Sequence, residues 1–300
     1  MPPEFDQQAR RCGESLIRLA LEEDLQDVGD LTSLATIPSA QQASVNIVSR
    51  GHGIFAAAEL IPLVFAALQA DVQIRQLVAN GEPIQPGKTI AQISGDVRVL
   101  LIAERTILNF LTHLCGVASL TGQYADAVRN TSAILLDTRK TLPGWRALQK
   151  FAVRCGGGTN HRMGLYDGIL IKDNHLAARQ DRPADAVHAA QTFLQQKQIN
   201  AGVEIEVDTL EQLRDVLSAA PDIVLLDNMT CDQLCTAVEL RNQHSPQTLL
   251  EASGGITLQT IREIAETGVD RISVGGLTHS ATATDLGFDW NLSGASATQN

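Results

Sequence analysis

Six short apolar segments in the second part of the chain constrain its fold more than any other feature. They lie at residues 133–137, 168–171, 203–207, 223–227, 248–252 and 271–275. The last four begin about 20 to 25 residues apart, a normal length for a repeated strand and helix. Because continuous apolar runs are typical of strands buried on both faces, these segments predict parallel strands covered by helices.

Strand and helix units in series form either a doubly wound sheet or a barrel. The segment 203–208 favours the barrel, because Glu204, Glu206 and Asp208 share one face of its strand. Three acids on one face would pack poorly against a layer of helices, but they suit the upper interior of a barrel. We therefore expect an α/β fold with an incomplete, six-stranded version of the TIM-like barrel.

The first hundred residues have a different pattern. Residues 9–26 and 59–70 predict helices, and the segments 43–58, 72–78 and 89–94 predict strands with turn signals between them. This mixture predicts an α+β region with a small antiparallel sheet. A long helical pattern then runs from about residue 98 to 129, with an interruption predicted near Cys115 and Gly116.

These patterns predict a domain division near residue 115. We expect residues 1–115 to form the first domain and residues 116–280 to form the barrel. Residues 280–290 are expected to return to the first domain, and residues 291–300 are expected to be a flexible tail.

Composition excludes several classes of protein. The net charge of −11 argues against a nucleic-acid surface, and a hydrophobic fraction of 44% is that of a globular protein with a full core. No run of 18 apolar residues and no apolar signal core are found, so we expect a cytoplasmic protein without a membrane-spanning helix. The five cysteines form no CxxC pair and predict core residues in a reducing compartment rather than metal or disulfide sites.

Cations cluster at the ends of the predicted strands, although the chain as a whole is acidic. Arg139 and Lys140 follow the first apolar segment, His161 and Arg162 follow three glycines, and Lys172 follows the second segment. A single Arg or Lys is usually solvated, but ligands bind where the carboxyl ends of barrel strands meet. Five positive groups there predict a small anion with several charges as the substrate.

Glycine pairs follow the last two predicted strands, in Ser253-Gly254-Gly255 and in Val274-Gly275-Gly276. Glycine lets backbone N–H groups approach a phosphate closely, and loops after the last strands of barrels often bind phosphate. Taken alone, each pair is better explained by a tight turn between strand and helix, and only the two pairs together make a phosphate site an equal alternative.

Two acids, Glu206 and Asp227, end neighbouring strands. Acids in such places often cap helices, but these two could also coordinate Mg²⁺ or bind ribose hydroxyls. Together with the cations and the glycine pairs, they suggest a phosphorylated sugar and a small polyanion as ligands.

The chain resembles the quinolinate phosphoribosyltransferase family over nearly its whole length. The matching motifs are AERTILN at 103–109, DTRKT at 137–141, GGG at 156–158, HRMGLYD at 161–167, LIKDNH at 170–175, VEIEVD at 203–208, LLDNM at 225–229 and EASGGI at 251–256. The resemblance implies an N-terminal α/β sandwich domain plus an open (β/α)6 TIM-like barrel. It also implies transfer of phosphoribose from phosphoribosyl pyrophosphate (PRPP) to quinolinate with loss of CO₂, in NAD biosynthesis, with Mg²⁺.

The resemblance also implies roles for single residues. Quinolinate binding is implied for Arg105, Thr138, Arg139, Lys140, His161, Arg162 and Lys172. PRPP binding is implied for Lys140, Lys172, Glu206, Asp227, Ser253, Gly254, Gly255, Val274, Gly275 and Gly276. Lys140, Glu206 and Asp227 are implied as catalytic residues, with the two acids at the metal. Arg105 is implied to reach the site of a neighbouring subunit, which makes the chain a homodimer.

Two other functions remain open at this point. A relative that uses nicotinate or another heterocyclic acid would need fewer cations, because a monoacid has fewer charges. A non-catalytic protein that binds a phosphorylated sugar would have no reason to keep Glu206 and Asp227 beside the cations.

Overall fold

The structure is a computed structural model that describes residues 3–291 of the chain, in two compact units. The first unit combines the chain up to Gly122 with Thr141–Gly157 and the segment from Leu277 onward, and the second comprises Gln123–Lys140 and Gly158–Gly276. The predicted domain limits at residues 115 and 280 stay predictions. The predicted tail, residues 291–300, lies outside the described residues except for Asn291.

The described strands and helices follow one another along the chain as follows. The strands are β1 Gln42–Ser49, β2 Gly53–Ile54, β3 Gln73–Gln76, β4 Pro83–Ile84, β5 Thr89–Asp96, β6 Ile134–Leu136, β7 Ile169–Ile171, β8 Val203–Val207, β9 Ile223–Asp227, β10 Leu249–Ser253, β11 Arg271–Ser273 and β12 Leu286–Asn291. The helices are α1 Gln7–Leu25, α2 Leu31–Thr36, α3 Leu60–Ala67, α4 Val97–Ala127, α5 Arg146–Cys155, α6 Asp173–Arg179, α7 Pro183–Lys197, α8 Leu210–Leu217, α9 Cys231–His244, α10 Ile261–Glu266 and α11 Gly276–His279.

The first unit contains an antiparallel sheet with the strand order β12-β1-β5-β3, and β2 pairs separately with β4. Val45 and Ile47 alternate with more exposed residues along β1 and are completely buried, as expected for a sheet with one face on a core. Strand β12 pairs with β1 from Ser44↔Asn291 to Ser49↔Leu286, so residues 286–291 belong to the sheet of the first unit.

Helix α4 is continuous over 31 residues, so the interruption predicted near Gly116 is wrong. A Cβ atom on Gly116 would lie 2.2 Å from the carbonyl oxygen of Thr282. The glycine therefore allows a close approach between the helix and residue 282 rather than a break. Among the described helices, α4 alone has the length and composition of a membrane span, and 56% of its apolar window is buried, as in core helices.

The second unit contains a parallel sheet with the strand order β6-β11-β10-β9-β8-β7. Its strands agree with the six predicted apolar segments to within two residues at each end. Ile205 and Val224 are completely buried, as are Leu213 on α8 and Ala237 on α9. Burial of such apolar groups contributes roughly 1.5–3 kcal/mol for each large side chain and holds the helices against the sheet.

Capping boxes begin two of the covering helices soon after their strands end. Thr209 accepts a hydrogen bond from the Gln212 N–H at 3.2 Å before α8, and Thr230 accepts one from the Gln233 N–H at 3.3 Å before α9. In each case the glutamine Oε1 accepts a hydrogen bond from the threonine N–H in return. These caps stop the strands sharply, so that the residues at their carboxyl ends stay at the edge of the sheet.

Residues at the carboxyl ends of all six parallel strands line one cavity. A flat sheet could not bring its two edge strands, β6 and β7, to the same cavity, so the sheet is curved into an open barrel. The fold is therefore α/β with a TIM-like barrel, as predicted. Glu206 lines the cavity while Val207 is buried elsewhere, which agrees with the alternation that favoured a barrel over a doubly wound sheet.

Candidate active site

The cavity of the second unit has a volume of about 280 Å³. Such a volume suits a small ligand or part of a larger one. Its walls consist of Thr138, Arg139, Lys140, His161, Arg162, Leu170, Lys172, Glu206, Leu225, Asp227, Glu251, Ser253, Gly254 and Ser273. The five predicted cations therefore meet around one space, together with Thr138, both strand-end acids, and Ser253 and Gly254 of the first glycine turn.

Other predicted site residues are not among those that line this cavity. Gly255, Val274, Gly275 and Gly276 follow the ends of β10 and β11, one to three residues beyond lining residues. Arg105 lies on α4 in the first unit. Ligand binding by these five residues, and by those that line the cavity, stays a prediction.

The structure adds cavity residues that the sequence reasoning did not assign, namely Leu170, Leu225, Glu251 and Ser273. Leu225 pairs in register with Glu206 on one side and with Glu251 on the other. The alternation that singled out Glu206 could have found Glu251 too, because Glu251 and Ser253 are two residues apart on the same strand.

Lys172 forms an ion pair with Glu206 that joins the carboxyl ends of β7 and β8. The Glu206 side chain is 13% exposed and the Lys172 side chain is 43% exposed, so the pair lies at the border between cavity and solvent. The charge of Lys172 is therefore partly balanced by the protein itself, and a ligand anion must compete with Glu206 for it.

His161 lies among buried carboxylates at the inner wall of the cavity. Its Nε2 atom is 3.2 Å from Glu204 Oε2 and 3.4 Å from Glu251 Oε1. Burial alone would lower the pKa of this imidazole, but the hydrogen bonds and charges of Glu204 and Glu251 outweigh it and raise the pKa from 6.5 to about 9.

A contact at the other ring nitrogen of His161 favours the neutral imidazole. Nδ1 accepts a hydrogen bond from the Arg162 backbone N–H at 2.7 Å, which requires this nitrogen to carry no proton. One such bond contributes roughly 0.5–1.5 kcal/mol. The shift of the His161 pKa to about 9 corresponds to about 3 kcal/mol. The effect of the carboxylates is therefore larger than that of the hydrogen bond to Nδ1, and the ring is positively charged at neutral pH.

Glu251 is completely buried and pairs with two cations. Its Oε2 atom accepts a hydrogen bond from Arg271 Nε at 2.8 Å. Burial would raise the pKa of this carboxyl, but the contacts with His161 and Arg271 lower it. By spacing alone His161, Glu204 and Glu251 could hold a metal ion, since their ligand atoms lie within 4.8 Å of one another. Arg271 and the charged ring already balance these carboxylates, so the trio fits a metal ion poorly.

Arg162 and Arg139 oppose each other electrostatically at the cavity wall. The pKa of Arg162 is lowered first by burial and then by the charge of Arg139. Arg162 Nη1 donates a hydrogen bond to the Gly168 carbonyl oxygen at 2.8 Å, whereas its buried Nε atom has no hydrogen-bond partner among residues 3–291. A bound anion would relieve the repulsion between the two guanidinium groups.

Asp227 is a carboxylate whose pKa is raised, first by burial and then by the charge of Asp208, while Lys172 and Lys140 oppose the shift. Its Oδ2 atom accepts a hydrogen bond from Asn228 Nδ2 at 2.7 Å. A partly buried carboxylate beside a second acid gains from a divalent cation or from ligand hydroxyl groups.

Gly254 follows β10 with φ of +92°, and a Cβ atom there would lie 2.2 Å from Asn228 Oδ1 and 2.9 Å from the Asn228 backbone nitrogen. Only glycine fits this turn without strain. Just before it, the hydroxyl groups of Ser253 and Ser273 are 3.1 Å apart, so the ends of β10 and β11 present neighbouring donors to the cavity.

Comparisons with known proteins agree with this geometry. The family model described as quinolinate phosphoribosyl transferase, C-terminal domain, matches residues 117–289, and the model of the N-terminal domain of the same enzyme matches residues 30–115.

Similar proteins cover almost the whole chain. A nicotinate-nucleotide pyrophosphorylase (carboxylating) of Mycobacterium leprae is 43% identical over 95% of this chain and 98% of its own length. A probable enzyme of the same name from Bacillus subtilis is 39% identical over 91% of this chain and 92% of its own. The solved structure of the nicotinate-nucleotide pyrophosphorylase from Francisella tularensis matches with a TM-score of 0.87 at 35% identity, over 97% of this chain and 100% of that one.

Proposed function

Because the chain belongs to the quinolinate phosphoribosyltransferase family, we propose that it transfers the phosphoribosyl group of PRPP to quinolinate. The products are nicotinate mononucleotide, pyrophosphate and CO₂, and the reaction is a step of NAD biosynthesis. The observation that carries this assignment is the meeting of five cations around one small cavity that also holds the strand-end acids.

Quinolinate is a pyridine ring with two neighbouring carboxylates. Two guanidinium groups that repel each other in the free protein, Arg139 and Arg162, match such a dianion, because each can bind a carboxylate through two parallel hydrogen bonds. The charged His161, Lys140 and Lys172 add further positive potential, and Thr138 adds a hydroxyl group at the cavity wall. A monoacid such as nicotinate would leave part of this charge unbalanced.

The reaction needs no nucleophilic side chain, because the ring nitrogen of quinolinate attacks C1 of the phosphoribosyl group. As the bond to pyrophosphate breaks, C1 gains positive character, which Glu206 and Asp227 stabilise from the carboxyl ends of β8 and β9. Holding the two reactants in line supplies much of the rate, and Lys140 attracts the negative charge of PRPP. The positively charged pyridinium ring then accepts the electron pair that the departing CO₂ leaves.

Mg²⁺ fits the same two acids. Glu206 and Asp227 offer carboxylate oxygens at one cavity, and Mg²⁺ usually takes one or two protein carboxylates and completes its shell with phosphate oxygens and water. When bound, the ion would neutralise the negative charge of the pyrophosphate group. Glu206 would then exchange its partner Lys172 for the ion or share it.

The phosphate of the ribose 5′ position belongs at the ends of β10 and β11 in this proposal. Ser253 and Gly254 line the cavity, and Gly254 has no side chain of its own to keep a phosphate from its backbone N–H group. Gly255, Val274, Gly275 and Gly276 would supply further N–H groups, as the family motifs suggest.

A homodimer completes the proposal. Arg105 would reach the cavity of the neighbouring subunit and add a cation for quinolinate, as the family resemblance implies. We also expect the protein in the cytoplasm, where its small anionic substrates would be found.

Pyrophosphate release in the presence of PRPP and Mg²⁺ tests the function directly. Quinolinate should support release together with one CO₂ per turnover, and nicotinate should not. Turnover with nicotinate alone would select a related transferase instead. Calorimetric binding of both ligands without any turnover would select a binding protein.

A further inference from the structure

Asp137 immediately follows β6, and its side chain is completely buried. Its carboxylate binds the segment that carries two of the cavity cations. Oδ1 accepts a hydrogen bond from the His161 backbone N–H at 2.8 Å, and Oδ2 accepts one from Asn160 Nδ2 at 2.7 Å. One side chain therefore holds two successive residues of that segment.

Backbone hydrogen bonds attach the same segment to β6 one step earlier. The Thr159 N–H donates to the Leu135 carbonyl oxygen at 2.8 Å, and the Asp137 N–H donates to the Thr159 carbonyl oxygen at 3.2 Å. Leu136 and Thr159 form a single parallel bridge. The backbone ladder stops there, so the Asp137 side chain extends the attachment toward His161.

The two segments joined in this way carry cations that repel each other. Arg139 comes two residues after Asp137, and Arg162 comes directly after His161. The pKa of Arg162 is lowered first by burial and then by the charge of Arg139, so the two guanidinium groups lie close enough to interact. In the free protein the buried carboxylate of Asp137 adds two hydrogen bonds to the backbone bonds that join these segments.

We propose that Asp137 is a positioning residue of the dicarboxylate site, which keeps His161 and Arg162 beside Arg139 although it does not itself line the cavity. The proposal rests on the proposed function. In this proposal Asp137 contributes to the affinity for quinolinate and does not contribute to the affinity for PRPP.

Two substitutions separate this role from a general contribution to folding. Asp137→Asn keeps an oxygen for the His161 N–H and presents an amide group to Asn160, whose own amide can rotate to accept a hydrogen bond. Asp137→Ala removes both hydrogen bonds. Asp222→Ala is the matched control, because Asp222 Oδ2 also accepts a backbone hydrogen bond, from the Val203 N–H at 2.7 Å, but at the amino ends of the strands.

The first measurement needs no substrate: hydrogen–deuterium exchange of the segment 159–162. Exchange at the His161 amide should be faster in Asp137→Ala than in the wild-type protein, and unchanged in Asp222→Ala. Steady-state kinetics should then show a KM for quinolinate that rises roughly 10- to 100-fold in Asp137→Ala, as for the loss of hydrogen bonds to a charged group. The KM for PRPP should stay the same, and Asp137→Asn should return the quinolinate KM to within a few-fold of wild type.

An unchanged quinolinate KM in folded Asp137→Ala would overturn the proposal, and so would an equal rise in Asp222→Ala or in both substrates' KM values. A loss in Asp137→Asn as large as in Asp137→Ala would overturn it too, because charge rather than hydrogen bonding would then matter. If Asp137→Ala does not fold, Asn160→Ala removes one of the two bonds and is judged by the same KM criterion. If the His161 amide exchanges faster in Asp137→Ala but the wild-type protein does not turn over quinolinate, the proposed function is rejected. The finding that Asp137 holds the segment 159–162 would still stand.

Discussion

His161 Nε2 lies 3.2 Å from Glu204 Oε2 beneath the cations of the cavity. Both side chains are more than nine-tenths buried, so water screens their attraction little. A histidine that the sequence marked as a ligand of the substrate is therefore also one partner of a buried ion pair in the free protein.

This pair makes the stability of the protein depend on pH. The pKa of His161 is about 9 in the folded chain and about 6.5 when unfolded. Because the folded value is the higher one, the contacts of His161 with Glu204 and Glu251 together contribute their full stabilisation, about 3 kcal/mol, below pH 6.5, and this is lost as the pH rises through 9. Urea unfolding between pH 6 and 10 should show this decline in wild type.

The control for this prediction compares two histidine variants. His161→Gln cannot gain a proton and should lack the decline, whereas His244→Gln, at an exposed position on α9, should keep it. The same slope in all three proteins would mean that His161 is not charged in the folded chain.

Arg139→Ala should weaken quinolinate binding. Removal of one guanidinium leaves a carboxylate of the substrate without a charged partner, and such losses cost roughly 2–4 kcal/mol. The KM for quinolinate should rise accordingly, and the exposed Arg214→Ala on α8 should leave it unchanged. If Arg139→Ala has the wild-type KM for quinolinate, Arg139 does not bind this substrate.

Arg105→Ala tests the shared site of the proposed dimer. The variant should lose activity, and mixing it with Arg139→Ala subunits should restore some, at a quinolinate concentration too low for Arg139→Ala alone to turn over. In a mixed dimer, one of the two sites would combine an intact Arg139 with an intact Arg105 from the other subunit, so random mixing should return about a quarter of wild-type activity. No recovery after verified subunit exchange would place Arg105 in the site of its own chain or outside any site.

Gly254→Ala should strain the turn after β10. Gly268 provides a matched comparison, because its φ of +91° equals that of Gly254 within a degree, but a Cβ atom there would only touch Val238 at 3.5 Å. Both alanine variants should lose roughly 1–3 kcal/mol of unfolding free energy from backbone strain. Only Gly254→Ala, which also displaces Asn228, should raise the KM for PRPP. If the two variants have equal KM values for PRPP, the turn at Gly254 does not bind the phosphate.

Removal of Mg²⁺ tests the two strand-end acids. A chelator should abolish turnover, and added Mg²⁺ should restore it. Asp227→Asn should raise the Mg²⁺ concentration needed for half-maximal rate, because one anionic oxygen ligand is lost. If Asp227→Asn lowers the rate equally at every Mg²⁺ concentration, Asp227 acts on the ribose and not on the ion.

Local pattern was sufficient to predict the parallel strands and the inward face of β8. Alternation along one strand placed Glu206 in the cavity, and apolar runs located β8 and β9 with their observed limits. The five cations were identified by their positions after apolar runs and glycines, and the barrel brings them together.

Contacts between distant segments could not be predicted in the same way. The role of Glu251 depends on its contacts with Arg271 and His161, which lie on other segments of the chain. Gly116 resembled a helix break because the sequence does not show that residue 282 packs against it. In each case the deciding partner is close in space and remote in the chain.

Because β12 pairs with β1, the sheet of the first unit can be completed only after the last described strand of the chain has been synthesised. The edge of the first sheet at β1 gains its partner only when residues 286–291 leave the ribosome, after every strand of the barrel has been made. The nascent chain must therefore carry an unpaired, partly apolar strand edge for most of its translation, and a ribosome stalled before residue 286 would hold a chain open to pairing with foreign strands.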